Sequence, residues 1–363
     1  MKKAWILLSI LALSACAKVD NGRWSVEKAN QWAADKGWIV GCNYIAATAI
    51  NQIEMWQEST FDPETMDREL ALAEDLGFNT VRVFLSFLVY QADPKGFMDR
   101  FETFLKICSS HGIRVLPTFW TNGGKLMEPM LGPQPDPVPG VHNSGWVMNP
   151  GPAYVNDPSR WPELEKMVKG VIRAHRNDDR ILMWCLYNEP ENHRHGVENS
   201  VPLMKATFEW ARECRPSQPL TSPIMSLVGS NPKYSHLPEA SFVLENSDVL
   251  SFHCYHGPER AEAFITSLLP YGRPMICTEY MARPRSTFFS DLPVYKKYGV
   301  GAISFGLTAG KGNFNYPWNE QDENGNSIPW ESEPEIWFHD IFRLDGTPYD
   351  STEVAFLRRI TRP

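Results

Sequence analysis

Eight short apolar segments, separated by helix-like patterns, constrain the fold of this 363-residue chain more than any other feature. They are residues 38–45, 79–85, 113–120, 181–187, 219–225, 248–255, 274–280 and 300–307. Between the first two, apolar residues recur at helical spacing from Met66 to Leu76, and Gly77 offers a helix end. Short strands that alternate with helices are typical of a parallel sheet whose strands are buried on both faces.

Eight such strands predict an α/β chain that folds as a single (β/α)8 barrel, the TIM-barrel fold. The alternative is an open doubly wound sheet, but no GxGxxG sequence or P-loop opens a helix here. Residues 38–363 are assigned to the barrel. Residues 17–37 are predicted to form an N-terminal segment whose helix, residues 25–36, caps the barrel floor. The sequence contains no internal repeat or linker that would indicate a second domain.

The connection after the third apolar segment, residues 121–158, is unusually long, rich in Pro and Gly, and without periodicity. Loops of this length in compact domains are usually functional or disordered. Because this loop follows a strand end and contains Trp146, it is predicted to form a wall of a binding cleft. A proline-stiffened surface excursion is the alternative.

The first sixteen residues have the pattern of an export signal. Two lysines precede an apolar stretch, residues 4–13, which is too short to span a membrane as a mature helix. The sequence that ends at Cys16 resembles a bacterial lipobox, so Cys16 is predicted to be lipidated. The protein would then be exported and anchored by this lipid to the outer membrane, on its periplasmic face or at the cell surface. An ordinary secretory signal is the alternative.

The composition of the chain limits which partners and cofactors are expected. The net charge of −8 and the lack of any Lys/Arg cluster give no reason to expect nucleic-acid binding. The six cysteines after Cys16 are an even number, which favours disulfides in an exported protein. However, four of them lie in apolar strand-like runs, so mostly unpaired thiols are expected. His193 and His195 resemble a short metal-binding pair, but no third ligand lies nearby in the sequence, so no metal is expected. The protein is expected to be a monomer.

Two glutamates follow apolar strands at positions where barrel enzymes carry their catalytic groups. One run ends in Asn188-Glu189, and another ends with Glu279. Two carboxylates at one barrel mouth are what glycoside hydrolysis requires, because one donates a proton and the other attacks the sugar. Separations of about 5–5.5 Å give retention of configuration, and wider spacing gives inversion. Arg82 is the cation predicted to pair with Glu279.

The sequences "WCLYNEPEN" and "MICTEY" resemble the clan of (β/α)8 retaining glycosidases that includes family-5-like cellulases and mannanases. The segments "NTVRVF", "SFHCY" and "GLTAGKGNFNYPW" stand where that clan places a strand-two arginine, a strand-six His and Tyr, and the strand-eight loop. The resemblance covers residues 38–318. It implies that Glu189 is the acid/base and that Glu279 is the nucleophile.

The same resemblance implies supporting roles. Asn188 would bond the 2-hydroxyl of the sugar, Tyr255 would donate its hydroxyl to the nucleophile, and His253 would line the site. No cofactor is implied. The expected partner is a β-linked polysaccharide or oligosaccharide of mannan, glucan or xylan type, with membrane contact only through the lipid.

One position departs from the clan. Phe305 stands where a Trp usually forms the floor of the sugar site, and Phe lacks the indole N–H. Trp318 in the following loop is predicted to replace that platform. Trp120, at the end of the third strand, and Trp146 are further candidate sugar platforms, with core packing as the alternative for each.

The sequence therefore predicts a retaining β-glycosidase that works through a covalent glycosyl-enzyme. Two alternatives stay open. One is a carbohydrate-binding lipoprotein that keeps the barrel without turnover, and the other is a transglycosylase in which a sugar replaces water as acceptor.

Overall fold

The structure is a computed structural model that describes residues 22–124, 128–192, 196–223 and 238–362. Its strands are β1 (Val40–Asn43), β2 (Thr80–Phe84), β3 (Arg114–Thr121), β4 (Trp184–Asn188), β5 (Leu220–Thr221), β6 (Leu250–Cys254), β7 (Met275–Tyr280) and β8 (Gly301–Phe305). Its helices are α1 (Val26–Lys36), α2 (Gln52–Trp56), α3 (Pro63–Asp75), α4 (Phe87–Ala92), α5 (Pro94–Ser110), α6 (Pro152–Val155), α7 (Trp161–His175), α8 (Ser200–Glu213), α9 (Pro238–Asn246), α10 (Pro258–Leu268), α11 (Phe288–Tyr298) and α12 (Ser351–Thr361).

The strands form one sheet in the order β5-β4-β3-β2-β1-β8-β7-β6, with parallel pairing throughout. Where β5 and β6 meet, the amide of Asp248 donates to Leu220 O at 2.9 Å and the Thr221 hydroxyl donates to Val249 O at 2.8 Å. The sheet is therefore a nearly closed barrel, and the predicted (β/α)8 fold is confirmed.

Each predicted apolar segment overlaps one strand, and for β4 and β5 the difference in bounds has a local cause. β4 begins at Trp184 because Ile181 makes only an isolated bridge to Val115. β5 consists of two residues, and Pro223, which has no amide hydrogen to donate, follows shortly after it.

Side chains from the strands fill the lower barrel. Residues of the strands and of the positions just before them form a cluster that is separate from the helix-facing core: Ile39, Leu116, Leu182, Met183, Cys185, Val249, Ile276 and Ile303. Trp32 of α1 packs against this cluster. Helix α1, which starts at the N-cap Ser25, therefore covers the end of the barrel opposite the strand C-termini.

The helices pack onto the outside of the strands through regular apolar faces, and α5 illustrates how. Asp93 caps the helix by accepting the amide of Gly96 at 2.8 Å, and Pro94 occupies the first turn. The buried residues of α5 recur at helical spacing: Phe97, Phe101, Phe104, Leu105 and Cys108.

The loops after β3 and β8 are tied together by hydrogen bonds. The Asn313 amide donates to Val138 O at 3.0 Å and to Val141 O at 3.1 Å. The amide of His142 donates to Asn319 Oδ1 at 2.8 Å. We call these joined segments, residues 132–145 and 312–330, the tied wall.

A close backbone approach and a third loop complete the tied wall. Gly140 has φ 70°, and a Cβ there would lie 2.1 Å from Trp330 O, so only glycine fits. Beside α2, the side chain of Asn51 donates to Gly145 O at 2.9 Å. The long loop after β3 thus lies against the loops after β1 and β8 at the mouth of the barrel.

The six cysteines from Cys42 to Cys277 are buried and unpaired, as predicted. Among the described residues, none of the helices combines the length and apolar character that crossing a bilayer would need. Cys16 and the pair His193 and His195 lie outside the described residues.

Candidate active site

The two predicted catalytic carboxylates meet at the mouth of the barrel. Glu189 follows the last residue of β4, and Glu279 is the penultimate residue of β7. One oxygen from each, together with a ring nitrogen of His253, lie within 4.8 Å of one another. The residues singled out at three strand ends therefore converge on one place.

Arg82, which is 0 % exposed, connects four strands beneath these carboxylates. Its Nη1 donates to Glu279 Oε1 and to Asn43 Oδ1, both at 2.8 Å. Its Nη2 donates to Asn188 Oδ1 at 2.5 Å. The predicted pairing of Arg82 with Glu279 is present, and the positive charge compensates a carboxylate that has little access to water.

The contact with Arg82 fixes the orientation of the Asn188 amide. Because its oxygen accepts from Arg82, its nitrogen is the donor, 3.3 Å from Thr121 Oγ1. The amide nitrogen is the atom that can reach a sugar hydroxyl.

Asn43, at the end of β1, belongs to the site and was not predicted. Its Nδ2 donates to Thr278 O at 2.7 Å and to Ser304 O at 3.0 Å, while its oxygen accepts from Arg82. A polar residue that ends an apolar strand is the same signal that Asn188 gave, so Asn43 could have been found from the sequence.

Tyr255 holds the second oxygen of the nucleophile candidate, Glu279. Its hydroxyl donates to Glu279 Oε2 at 2.8 Å. Burial, together with the negative charge of Glu279, raises the pKa of Tyr255 well above its usual value. The hydroxyl therefore keeps its proton and acts as a donor to the carboxylate.

Glu189 is paired with His253. Nδ1 of His253 lies 2.7 Å from Glu189 Oε1 and 3.6 Å from Glu279 Oε2. Burial opposes ionisation of Glu189, but the hydrogen bond and charge of His253 outweigh it and hold the pKa of Glu189 below its usual range. His253 Nε2 is buried and has no hydrogen-bond partner within the described ranges.

The backbone at Glu189 is strained. Its φ is 48°, in the left-handed region that residues other than glycine seldom adopt, which costs on the order of 1 kcal/mol. The amide of Glu189 donates to Pro223 O at 3.3 Å. This turn takes the chain out of β4 and directs the carboxylate toward His253 and Glu279.

Trp318 is the aromatic ring that is most available at the site. It is 45 % exposed, and its centroid lies 5.3 Å from that of Tyr255. Phe305, at the end of β8, packs edge-on against Phe314 at 5.0 Å. Trp146 is 6 % exposed and packs edge-on against Phe84, so it lines the mouth with only a small free surface.

Trp120 lies away from the site, which contradicts its prediction as a sugar platform. It is 0 % exposed, and its indole nitrogen donates to Thr207 Oγ1 of α8 at 2.9 Å. Its ring also packs against Phe87. At this point in β3 the side chain faces the surrounding helices, and no sugar can reach it.

His339 is a second residue of the site that was not predicted. Its ring lies 5.6 Å from Tyr255 and 5.3 Å from Phe305, and Nδ1 bonds Met281 O. Burial and the neighbouring His142 lower the pKa of His339 well below its usual value, so the ring is neutral. His339 lies after β8 in a region without periodicity, so nothing in the sequence marked it as a residue of the site.

Among the residues that the structure describes, two groups of side chains have spacing that a metal ion could use, and both are already engaged by cations of the protein. In the active-site group, Glu279 is bound by Arg82. In the group of Glu102, His175 and Asp178, the guanidinium of Arg180 bonds both carboxylates at 2.9–3.0 Å. The absence of a metal stays a prediction.

Comparison with known proteins gives one family model and one curated relative. The model described as cellulase, glycosyl hydrolase family 5, matches residues 40–319. A β-glucuronidase from Pongo abelii is 25 % identical over 201 residues, which are 53 % of this chain and 26 % of that protein. The chain thus spans about a quarter of the length of this relative.

Solved structures share the fold. An exo-β-1,4-mannosidase from Opitutaceae bacterium strain TAV5 is 16 % identical with a TM-score of 0.57, covering 90 % of this chain and 60 % of that one. An endo-β-1,4-mannanase from Thermotoga petrophila is 15 % identical with a TM-score of 0.56, covering 91 % of this chain and 77 % of that one. At these identities the likeness concerns the barrel alone.

Proposed function

Because this chain belongs to glycosyl hydrolase family 5, the cellulase family, we propose that it hydrolyses β-linked glycans with retention of configuration. The observation that carries the proposal is the approach of Glu189 and Glu279. One carboxylate oxygen of each lies within 4.8 Å of the other. Retaining enzymes place their carboxyl groups about 5–5.5 Å apart, whereas inverting enzymes leave about 6.5–9.5 Å for a water molecule.

In the first step, a Glu279 oxygen attacks the anomeric carbon while Glu189 gives a proton to the departing glycosidic oxygen. The products are a glycosyl ester of Glu279 and a free hydroxyl on the leaving sugar. Arg82 and Tyr255 hold the two oxygens of Glu279, which fixes the attacking carboxylate. His253 Nδ1 lies 2.7 Å from Glu189 Oε1 and orients the carboxyl that carries this proton.

In the second step, Glu189 takes a proton from water as the water oxygen attacks the anomeric carbon and releases Glu279. The lowered pKa of Glu189 suits this base role, and the proton that it takes up restores the acid form for the next cycle. Asn188 donates to the 2-hydroxyl of the sugar, a bond that strengthens as positive charge develops on the ring.

Trp318 is the proposed platform for the sugar ring. It takes the role of the strand-eight Trp that this clan usually carries, where this chain has Phe305. β-Mannan is the first substrate to test, because the structural relatives named above act on β-1,4-linked mannans. Glucan and xylan follow, since an identity of 15–16 % shows the fold and not the substrate.

The test is a product profile of the purified protein on β-mannan, xylan, glucan, galactan and short β-linked oligosaccharides. We expect sugar release that Glu189→Gln and Glu279→Gln both abolish, and NMR of the first product formed should show the β anomer. Release of the α anomer would refute retention. Binding without release would favour the carbohydrate-binding alternative, and longer products at high acceptor concentration would favour transglycosylation.

We further propose that the protein is exported and lipidated at Cys16, and that it acts as a monomer. The support for export and lipidation is the sequence pattern of residues 1–16 alone. Incorporation of labelled fatty acid in a bacterial host should be lost in Cys16→Ser. Equal labelling of parent and variant would refute this assignment.

A further inference from the structure

Two arginines and a histidine lie beside the active site of this acidic chain. They are His256 and Arg260, after β6, and Arg285, after β7. Burial and the charges of Arg285 and Arg260 together lower the pKa of His256. In a protein of net charge −8, two arginines placed together at the mouth of a cleft need an explanation.

The backbone that presents Arg285 is fixed. Two residues earlier, Arg283 turns inward, where its Nε donates to Glu353 of α12 at 3.0 Å and its Nη2 bonds the other oxygen. Ala282 and Ser286 pair across a tight turn, with N···O distances of 2.9 and 3.1 Å. Arg285 is therefore held at the outer edge of a braced turn.

The turn also rests against the loop after β6. Gly257 has φ 89°, and a Cβ there would lie 2.6 Å from Arg285 O. The two loops thus touch backbone to backbone, directly after His256 and at the start of α10, the helix that carries Arg260.

Arg285 lies on the ring proposed to carry the sugar. Its guanidinium carbon is 4.8 Å from the centroid of Trp318, which in turn lies 5.3 Å from Tyr255, the donor to Glu279. Stacking on the ring face holds the guanidinium plane and leaves its N–H edges available. Neither Arg285 nor Arg260 has an ion-pair partner in the part of the chain that the structure describes.

We propose that Arg285, assisted by Arg260, binds the carboxylate of an acidic sugar, so that the substrates of this protein include glycans that carry uronic acid. The proposal rests on the proposed function and names the substrate class of the same site. A guanidinium pairs with a carboxylate through two parallel hydrogen bonds, which no neutral sugar hydroxyl matches.

The first experiment measures selectivity. For each neutral oligosaccharide that the protein cleaves, kcat/KM is compared with that of the same oligosaccharide bearing a glucuronic-acid substituent. In Arg285→Gln the ratio of acidic to neutral kcat/KM should fall about tenfold, in line with the loss of one charge-assisted contact. The matched control is Arg343→Gln, which removes another exposed arginine stacked on a tryptophan, Trp337, and should keep the parent ratio.

The second experiment does not depend on turnover. Binding of free glucuronate and galacturonate is measured by NMR titration, with sodium sulfate and a neutral sugar alongside. We expect saturable uronate binding that Arg285→Gln weakens and that added salt screens. Uronate binding that Arg285→Gln leaves unchanged, or binding of sulfate in its place, would overturn the proposal. So would an unchanged selectivity ratio, even with hydrolysis of neutral glycans intact.

Discussion

Replacing Arg82 with methionine tests the buried charges of the site without any knowledge of the substrate. Met has a flexible apolar side chain and leaves the Glu279 carboxylate with the Tyr255 hydroxyl as its remaining hydrogen-bond donor. Removing one partner of a buried ion pair costs about 3–5 kcal/mol, because the other charge stays uncompensated. With an unfolding entropy of about 2.1 cal/mol/K per residue, a loss of about 4 kcal/mol lowers Tm by about 5 °C in a chain of this size.

A double-mutant cycle isolates the ion pair. Glu279→Gln removes the negative charge, so the double variant Arg82→Met/Glu279→Gln contains neither charge. Its destabilisation should be smaller than the sum of the two single effects by about 2 kcal/mol, or about 3 °C in Tm. Calorimetry at pH 7 measures all four proteins.

The control for this cycle is the exposed pair of Arg358 and Asp75, where Arg358→Met should change Tm by less than about 1 °C. Additive Tm shifts for Arg82→Met and Glu279→Gln would refute the view that these two charges compensate each other.

Three further predictions concern single groups. Burial raises the pKa of Asp340 to about 7, so the folded protein keeps a proton that the unfolded chain releases above about pH 4. Stability from this group is lost as pH rises from about 4 to 7, and Asp340→Asn should gain Tm relative to the parent at pH 8 but not at pH 4; a constant difference would contradict this. His253→Asn removes the largest contribution that lowers the pKa of Glu189, so the alkaline limb of the kcat/KM profile should move to higher pH, and a shift to lower pH would count against it. Trp318→Ala should raise KM several-fold at unchanged Tm, whereas Trp120→Phe should lower Tm and leave KM unchanged; the reverse result would exchange their roles.

The barrel and the candidate catalytic pair could be predicted because their signals are local. A parallel strand buried on both faces is a continuous apolar run, and a charged residue at its end stands out. Glu189 and Glu279 were found in this way, and the partner of Glu279, Arg82, was found as a lone charge inside such a run.

The orientation of side chains and the docking of loops could not be predicted. Trp120 ends an apolar run just as Asn188 does, but the sequence does not say that its ring faces α8. His339 and Arg285 reach the site because loops after β7 and β8 fold back onto it. Such contacts depend on tertiary packing between segments far apart in sequence, and no periodicity marks them.

The tied wall has a consequence for how this cleft can be changed. Its two segments, residues 132–145 and 312–330, satisfy each other's main-chain groups, as in the bond from the Trp330 amide to Gly140 O at 2.9 Å. Exchanging one segment for that of another enzyme would leave donors and acceptors of the other without partners, at a cost of about 1–3 kcal/mol for each buried group. A change of substrate specificity is therefore expected to require the exchange of both segments together, whether in evolution or in engineering.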